Sequence, residues 1–357
     1  MNLTRTGWLQ MFTQLAAPNM FLSRMFTVKP GGQYNGGKVA IDIERSGEDV
    51  AITVKKSTGP NMNDVSIFTT KEFEPPAYGE AVPFDVNTLV NRMAGTDPFT
   101  AAYQEYAVSL NSYMLKAWMK IYNKIVRAIE LQASQILQTG TLSLIDSTGA
   151  VSYELDFSPK ATHFPTAGTA WASVGATPLA DLEALAKIIR ADGQINPDRL
   201  IFGDAALNAF LDDDAVQKKL DVKNYDLGMI APGLMDSGAT FYGFVWIGAY
   251  RFEMWTYPET FKHPQTGAST QFINSGNVVM MSSRTRLDKA SASVPLPFAP
   301  DPRVADLIPG RMQSADFDVT PNVYLTPNGK QLTGELESCT LLIPVQIDGF
   351  GCLDTGL

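Results

Sequence analysis

Chemistry needs particular side chains at particular spacings, and this chain carries few of them. It has two histidines, His163 and His263, far apart and each beside a proline or an aromatic residue. No His-Glu-x-x-His, Cys-x-x-Cys or EF-hand spacing occurs. A Ser-His-Asp or Cys-His arrangement is spatial and stays open at this stage, although no nucleophile elbow is present. Gly32-Gln33-Tyr34-Asn35-Gly36-Gly37-Lys38 matches the first seven positions of a phosphate-binding loop. The next residue is Val39, where Ser or Thr would ligate Mg²⁺, and an alternating strand pattern follows where a helix should open. A turn is the simpler reading. Asp212-Asp213-Asp214 could attract a cation, but carboxylates also favour a helix start. Glu335 and Glu337 alternate at the edge of a strand region without an acid/base signature. The reading from residues is therefore not an enzyme, with no catalytic, cofactor or metal site.

Composition narrows the class further. Twenty-eight Lys and Arg stand against 37 Asp and Glu, a formal charge of −9. That argues against sequence-independent nucleic-acid binding by a basic patch. Two cysteines, Cys339 and Cys352, do not make a disulfide framework in a chain of 357 residues. Gln10, Thr13 and Gln14 interrupt the apolar run that a signal peptide would need, and no stretch is long enough to span a bilayer. The expectation is a soluble chain made in the cytoplasm, with no membrane partner.

The element that must position everything else runs from Asp97 to Gly140. Apolar residues recur in steps of three and four, among them Tyr103, Leu110, Ile121, Ile125 and Ile129. Such a stripe predicts one helix over 97–139, about 60 Å long. Asp97 and Pro98 mark its start, and Thr139-Gly140 its end. Before it lies an irregular apolar arm, residues 1–35, with Trp8, Phe12, Phe21 and Phe26. Packing on its own domain and reaching onto a neighbouring subunit are equally open for this arm. A hairpin is read next, Val39–Glu44 against Val50–Lys55, with Ile41, Ile43, Ile52 and Val54 alternating with polar residues. Such a hairpin is marginal alone and needs a partner. An extended stretch from Ser66 to Phe73 and a short helix from Val86 to Met93 precede the long helix.

After Gly140 the pattern changes. A second hairpin, 141–157, leads through a linker, 158–170, into an amphipathic helix, Pro178 to Arg190. A short strand at Arg199–Gly203, a helix capped by Asp204, a further helix to Leu220 and strands at 241–247, 250–257 and 277–282 follow. Residues 291–327 read as irregular. The last strand is Cys339–Gln346, with a short tail. Helices and strands mix without a repeated βαβ unit, so the fold class is α+β.

Several stretches, in this order, resemble the major capsid protein E family of tailed phages, the lambda-like branch of the HK97-like fold. They are Leu22-Ser23-Arg24-Met25-Phe26, Val39-Ala40-Ile41-Asp42-Ile43, Phe73-Glu74-Pro75-Pro76 and Gln135–Gly140. Farther on come Trp171 with Asp181-Leu182, Pro197 to Phe210, Gly243 to Tyr257 and Phe272–Val279. The resemblance implies an N-arm at 1–35, an extended E-loop at 36–84 and a P-domain at 85–165 that includes the spine helix. It implies an A-domain at 166–325 and a C-terminal strand, 326–357, returning to the P-domain. It further implies hexamers and pentamers closing into an icosahedral shell around double-stranded DNA bound without sequence specificity. A separate scaffolding protein and a portal are implied too, with a decoration protein left open. The location would be the virion, after assembly in the host cytoplasm.

Trp8, Phe12, Phe21, Phe26, Ile41, Ile43, Ile52 and Val54 are then the candidate inter-subunit contacts. Tyr103, Leu110, Ile121, Ile125 and Ile129 are the candidate spine packing. Lys55 and Lys56 on the hairpin read as a solvated edge that blunts unwanted strand pairing. Two other readings compete: an encapsulin-like nanocompartment shell around protein cargo, and a soluble α+β hydrolase with its site between two modules.

Overall fold

The computed structural model describes residues 20–34, 39–44, 68–85, 103–146, 148–221, 233–234, 238–292, 312–313, 318–325 and 331–357. After a 3₁₀ turn at Ser23–Met25 come β1 (Thr27–Tyr34), β2 (Val39–Glu44), β3 (Phe68–Phe73) and β4 (Tyr78–Asp85). The long helix α1 (Tyr103–Thr139) and the hairpin β5 (Thr141–Ile145) and β6 (Val151–Asp156) follow. Then come α2 (Pro178–Gly193), β7 (Arg199–Phe202), α3 (Asp204–Asp212), α4 (Asp214–Asp221) and β8 (Gly233–Leu234). Five strands follow: β9 (Thr240–Ile247), β10 (Tyr250–Thr256), β11 (Thr260–Lys262), β12 (Ser269–Gln271) and β13 (Asn277–Met281). The chain ends with β14 (Asp288–Ala292), β15 (Met312–Gln313), β16 (Asp318–Leu325), β17 (Gln331–Ser338), β18 (Thr340–Ile343) and β19 (Phe350–Asp354).

α1 has 37 residues and spans about 55 Å. Its predicted start at Asp97 lies outside the described residues. Its end is where the sequence places it: Gly140 takes φ 67°, and its N–H closes on Ile136 O at 2.8 Å. The helix packs on β4, β5, β13, β17, β18, β19 and the turn at 23–25. Ile121, Ile125 and Ile129 are buried, with Trp118, Ala133 and Ile136 on the same stripe. From Ile129 to Gln138 most positions are buried on every side, so the stripe widens to the whole helix.

A six-stranded sheet, ordered β19-β13-β7-β10-β9-β8, lies between α1 and the pair α2–α3. Alternate residues of its central strands go to opposite cores. Leu200, Phe202, Val278 and Met280 pack with Leu182, Leu185 and Phe210 of the helices. Ile201, Val279, Met281 and Cys352 join the core around α1. Strands covered on both faces read as unbroken apolar runs, and that is what Leu200–Phe202 and Val278–Met281 are. Two smaller sheets, β1-β14-β18 and β15-β16-β17-β4, flank the helix, and β2-β3 and β5-β6 are two-stranded.

Several sequence expectations change. β2 pairs along its whole length with β3, from Val39↔Phe73 to Glu44↔Phe68. Its expected partner, residues 50–55, lies outside the described residues, as does the helix at 86–93. Residues 291–327 contain β15 and β16, because non-local pairing with β17 overrides Pro321. The short tail is β19, antiparallel to β13 at the border of the six-stranded sheet, so the C-terminus returns to that sheet as well as to α1. Asp204 does not cap α3: Gly203 holds the cap position, and Asp204 Oδ2 accepts from Gln271 Nε2 at 2.5 Å.

Candidate functional site

The spine helix holds five separate pieces of chain through polar side chains, most of them buried. Glu130 is fully buried, yet it is an acid. Its carboxylate accepts the N–H groups of Phe21 (3.1 Å), Leu22 (2.8 Å) and Ser23 (2.9 Å). These are the free donors that open the 3₁₀ turn, so a negative charge fits there. Burial and the Glu130 carboxylate together push the Tyr257 hydroxyl well above the ordinary tyrosine range. Two residues along, Gln132 Nε2 donates to Tyr78 Oη (2.6 Å) and Thr340 O (3.0 Å), and its Oε1 accepts from Leu342 N. One side chain thus ties β4 to β18.

Gln135 bonds Ser143 through both its N–H and its C=O, fixing β5. Gln138 Oε1 accepts from Asn274 N and Asn277 Nδ2, each at 3.0 Å. Its Nε2 donates to Phe272 O (2.9 Å), which Ser134 Oγ also bonds. These groups avoid the cost of burial because each is bonded. The sequence reading missed them. The available signal was Glu130, Gln132, Ser134, Gln135 and Gln138 crowded among apolar residues in the last three turns of the helix.

The arm root is built on this frame. Met20, Leu22 and Phe26 are buried in the core of the same chain, and the Phe21 ring lies 5.4 Å from Trp255 and 5.7 Å from Tyr257. Phe21 and Phe26, expected at inter-subunit contacts, are therefore placed against this chain's own core, because the Glu130 grip draws the turn inward. Trp8 and Phe12 lie outside the described residues.

The β2–β3 ribbon has its own root. Pro75 and Pro76 are buried, the Phe73 ring meets Phe157 at 6.4 Å, and Tyr153 Oη donates to Glu74 O at 2.7 Å. Burial, with the Glu74 charge beside it, pushes the Tyr153 hydroxyl up to about 12. Lys124 of α1 pairs with Glu80 at 2.9 Å, both exposed. Ile41 and Ile43 stand on β2 opposite Lys71 and Thr69. Ile52 and Val54 lie outside the described residues. Tyr103 and Leu110 lie on α1, in the portion where only the backbone is described.

An open groove of 610 Å³ runs beside the ribbon root between residues 74–80, α1 and the β5–β6 hairpin. No histidine or cysteine lines it. The residues singled out for chemistry are used structurally. His163 sits in a 3₁₀ turn, 1% exposed, with Nδ1 2.9 Å from Phe350 O and Nε2 3.0 Å from Asp192 Oδ2. His263 occupies the β11–β12 turn, where its Nδ1 accepts from Thr266 N. Asp213 Oδ1 accepts from Ala215 N and Val216 N and so opens α4. Cys339 and Cys352 are buried and unbridged, and burial pushes the Cys352 thiol up. Gly32–Tyr34 form the end of β1 and do not open a helix. Glu335 and Glu337 lie on β17, which is flanked by β16 and β4 and is not an edge. Among the described residues no group of three or more His, Cys, Asp or Glu could hold a metal, and no helix is long and apolar enough to cross a membrane.

Comparison with known proteins extends these observations. The profile of a family described as phage major capsid protein E matches residues 8–350. Two solved structures share the fold. A protein described as the capsid protein of an E. coli CFT073 prophage superposes with a TM-score of 0.65 at 12% identity, covering 99% of each chain. A phage-related protein of Bordetella bronchiseptica RB50 superposes with a TM-score of 0.51 at 11% identity, covering 99% of this chain and 98% of that one. No curated protein matches the chain by sequence.

Proposed function

The chain belongs to the phage major capsid protein E family, an HK97-like phage shell subunit that associates with its own copies, and on that premise we propose its place in the particle. It is the structural subunit of an icosahedral tailed-phage head, assembling as hexamers and pentamers around packaged double-stranded DNA. The family match across residues 8–350 carries this reading. In it, residues 1–35 act as the N-arm, 36–84 as the E-loop, 85–165 as the P-domain and 166–325 as the A-domain. Residues 326–357 form the C-terminal return. Trp8, Phe12, Ile41, Ile43, Ile52 and Val54 meet neighbouring subunits.

Physical features support the assignment. The arm root is held to the spine by Glu130, and the ribbon root is held to the β5–β6 hairpin by Tyr153. A two-stranded ribbon is marginal alone and gains stability on a neighbour. The formal charge of −9 suits a wall that encloses DNA without gripping it, since binding by counterion release needs clustered cations. A separate scaffolding protein and a portal complete the assembly, which takes place in the host cytoplasm. In this reading the subunit is structural and not catalytic, and a His163 that is 1% exposed with both ring nitrogens engaged is consistent with it.

Negative-stain electron microscopy of the chain expressed alone and with a scaffold tests the reading. Closed shells, or rings of five and six subunits, are expected. A uniform monomer under both conditions would overturn it. Nuclease-protected DNA in the native particle separates a phage head from a cargo-filled nanocompartment.

A further inference from the structure

The open groove beside the ribbon root carries chemistry that the surrounding residues leave unmatched. α1 packs on both β4 and β5, and the groove lies between them over the helix. β4 is the border strand of its four-stranded sheet, so its side away from β17 has no strand partner among the described residues. Pro83 blunts that border where it falls, as prolines on border strands do. The stretch Tyr78–Glu80 stays open, and it lines the groove. The floor is apolar at Pro75, Pro76, Ile125, Ala128 and Leu144. The charged side chains in the lining are Glu74, Glu80 and Lys124. Lys124 pairs with Glu80 at 2.9 Å, while Glu74 is exposed with no ion-pair partner among the described residues.

An occupant that fits is extended and apolar, and it brings positive charge without acids. Residues 1–19 have that composition. They contain Trp8, Leu9, Met11, Phe12 and Leu15, and their single charged residue is Arg5. The stretch 45–67, which joins β2 to β3, suits the groove less: Arg45, Lys55 and Lys56 are offset by Glu48, Asp49 and Asp64. A chain's own arm is rooted on the wrong side. At about 3.6 residues per turn, Glu130 lies across α1 from Lys124, Ile125 and Ala128. The arm root that Glu130 holds and the groove therefore occupy opposite flanks of the helix. Extended, residues 1–19 reach up to about 60 Å, enough to leave the body on which they are rooted.

We propose that the groove receives the arm of a second copy of this chain. The neighbouring copy's Arg5 sits against Glu74, and its Trp8–Phe12 stretch lies along the open border of β4 over the apolar floor. The inference rests on the shell-subunit reading and adds to it the surface that the arm grips. Main-chain pairing supplies affinity, while Glu74 and the floor set the register. Each copy gives one arm and takes one, a head-to-tail contact that forms rings when the rotation closes.

Ala77 is exposed on the groove, and Cys339 and Cys352 are buried, so an added thiol reacts selectively. Shells assembled from a mixture of Thr4→Cys chains and Ala77→Cys chains are treated with a short bismaleimide. A cross-linked dimer is expected that neither variant gives when assembled alone. Intact mixed shells without that dimer overturn the proposal. Charge reversal supplies a second measurement. Glu74→Lys and Arg5→Glu are each expected to lower the yield of closed shells about fivefold, with the subunit's thermal midpoint unchanged. Combining the two is expected to restore the yield. Singles that assemble normally, or a combination no better than the singles, overturn the proposal as well. A parent chain that forms neither shells nor rings with its scaffold overturns the shell reading, and this inference with it. Electron microscopy shows that failure before any cross-link is made.

Discussion

The Leu22 amide donates to Glu130 Oε1 at 2.8 Å, joining residues 108 apart in sequence. The same carboxylate takes the amides of Phe21 and Ser23, so one buried acid fixes residues 21–23 ahead of β1. Glu130→Ala strands three donors in a dry site, at about 1–3 kcal/mol for each one left unbonded. The expected loss is about 3 kcal/mol or more in urea unfolding. Hydrogen exchange is expected to quicken at residues 21–23 first, while β13 keeps its protection. Equal quickening at both would show that Glu130 supports the whole core and not the arm root in particular.

Gln138 joins α1 to the loop before β13 through Phe272 O, Asn274 N and Asn277 Nδ2. Gln138→Leu keeps the bulk and removes every bond, so a cost of about 2–4 kcal/mol is expected. Ile125→Asp is harsher. It places a charge at a position 1% exposed, under the spine, and is expected to prevent folding. Circular dichroism and denaturant midpoints read both. A soluble, fully folded Ile125→Asp chain would mean that the stripe does not face a core.

The stripe itself was legible because helical period is a local property: Ile121, Ile125 and Ile129 are buried where their spacing puts them. The polar grips were not, because Glu130, Gln132 and Gln138 look like solvated helix positions until the arm, β18 and the loop before β13 fold over them. The pairing of β2 with β3 was not legible for a related reason. Val39–Glu44 has a good local turn behind it, yet β3 lies along it from a point more than twenty residues on. Hairpin chemistry scores the near partner and is blind to the far one. Phe350-Gly351-Cys352-Leu353 read as a tail because two small residues hide the strand, and β13 supplies the pairing that makes it one. Trp8, Phe12, Ile52 and Val54 are proposed as assembly contacts from their apolar character and the family resemblance, and they lie outside the described residues.

Glu335 and Glu337 stand two apart on β17 and share one face. Burial raises the Glu337 carboxyl, and the Glu335 charge beside it adds to the shift. A raised acid is protonated more readily folded than unfolded, so its ionisation opposes folding as pH rises past the ordinary glutamate range. Glu337→Gln removes that opposition. At neutral pH it is expected to raise the unfolding free energy by about 0.5 kcal/mol, a figure reduced for solvent screening. The gain is expected to vanish below about pH 4, where the parent carboxyl is protonated. Differential scanning calorimetry across that range checks both parts, and a gain that persists in acid would point to packing and not charge.

Arm function calls for a cut placed by the structure. Deleting residues 1–35 removes Leu22 and Phe26, which lie in the core at 0% and 2% exposure, and leaves Glu130 buried without its three amides. That truncation therefore tests folding before it tests assembly. Deleting residues 1–19 keeps the whole root, from Met20 onward. The trimmed chain is expected to match the parent in thermal midpoint, because the Glu130 grip and the Phe21 contacts with Trp255 and Tyr257 remain. Its yield of closed shells is expected to fall at least tenfold by electron microscopy, the effect of losing about 1.4 kcal/mol or more of association energy per subunit. Normal shells from this chain would remove the arm from the assembly contacts and leave the β2–β3 ribbon to carry them. A fallen midpoint with normal shells would instead place Trp8 and Phe12 on their own core, the other arrangement their sequence allowed.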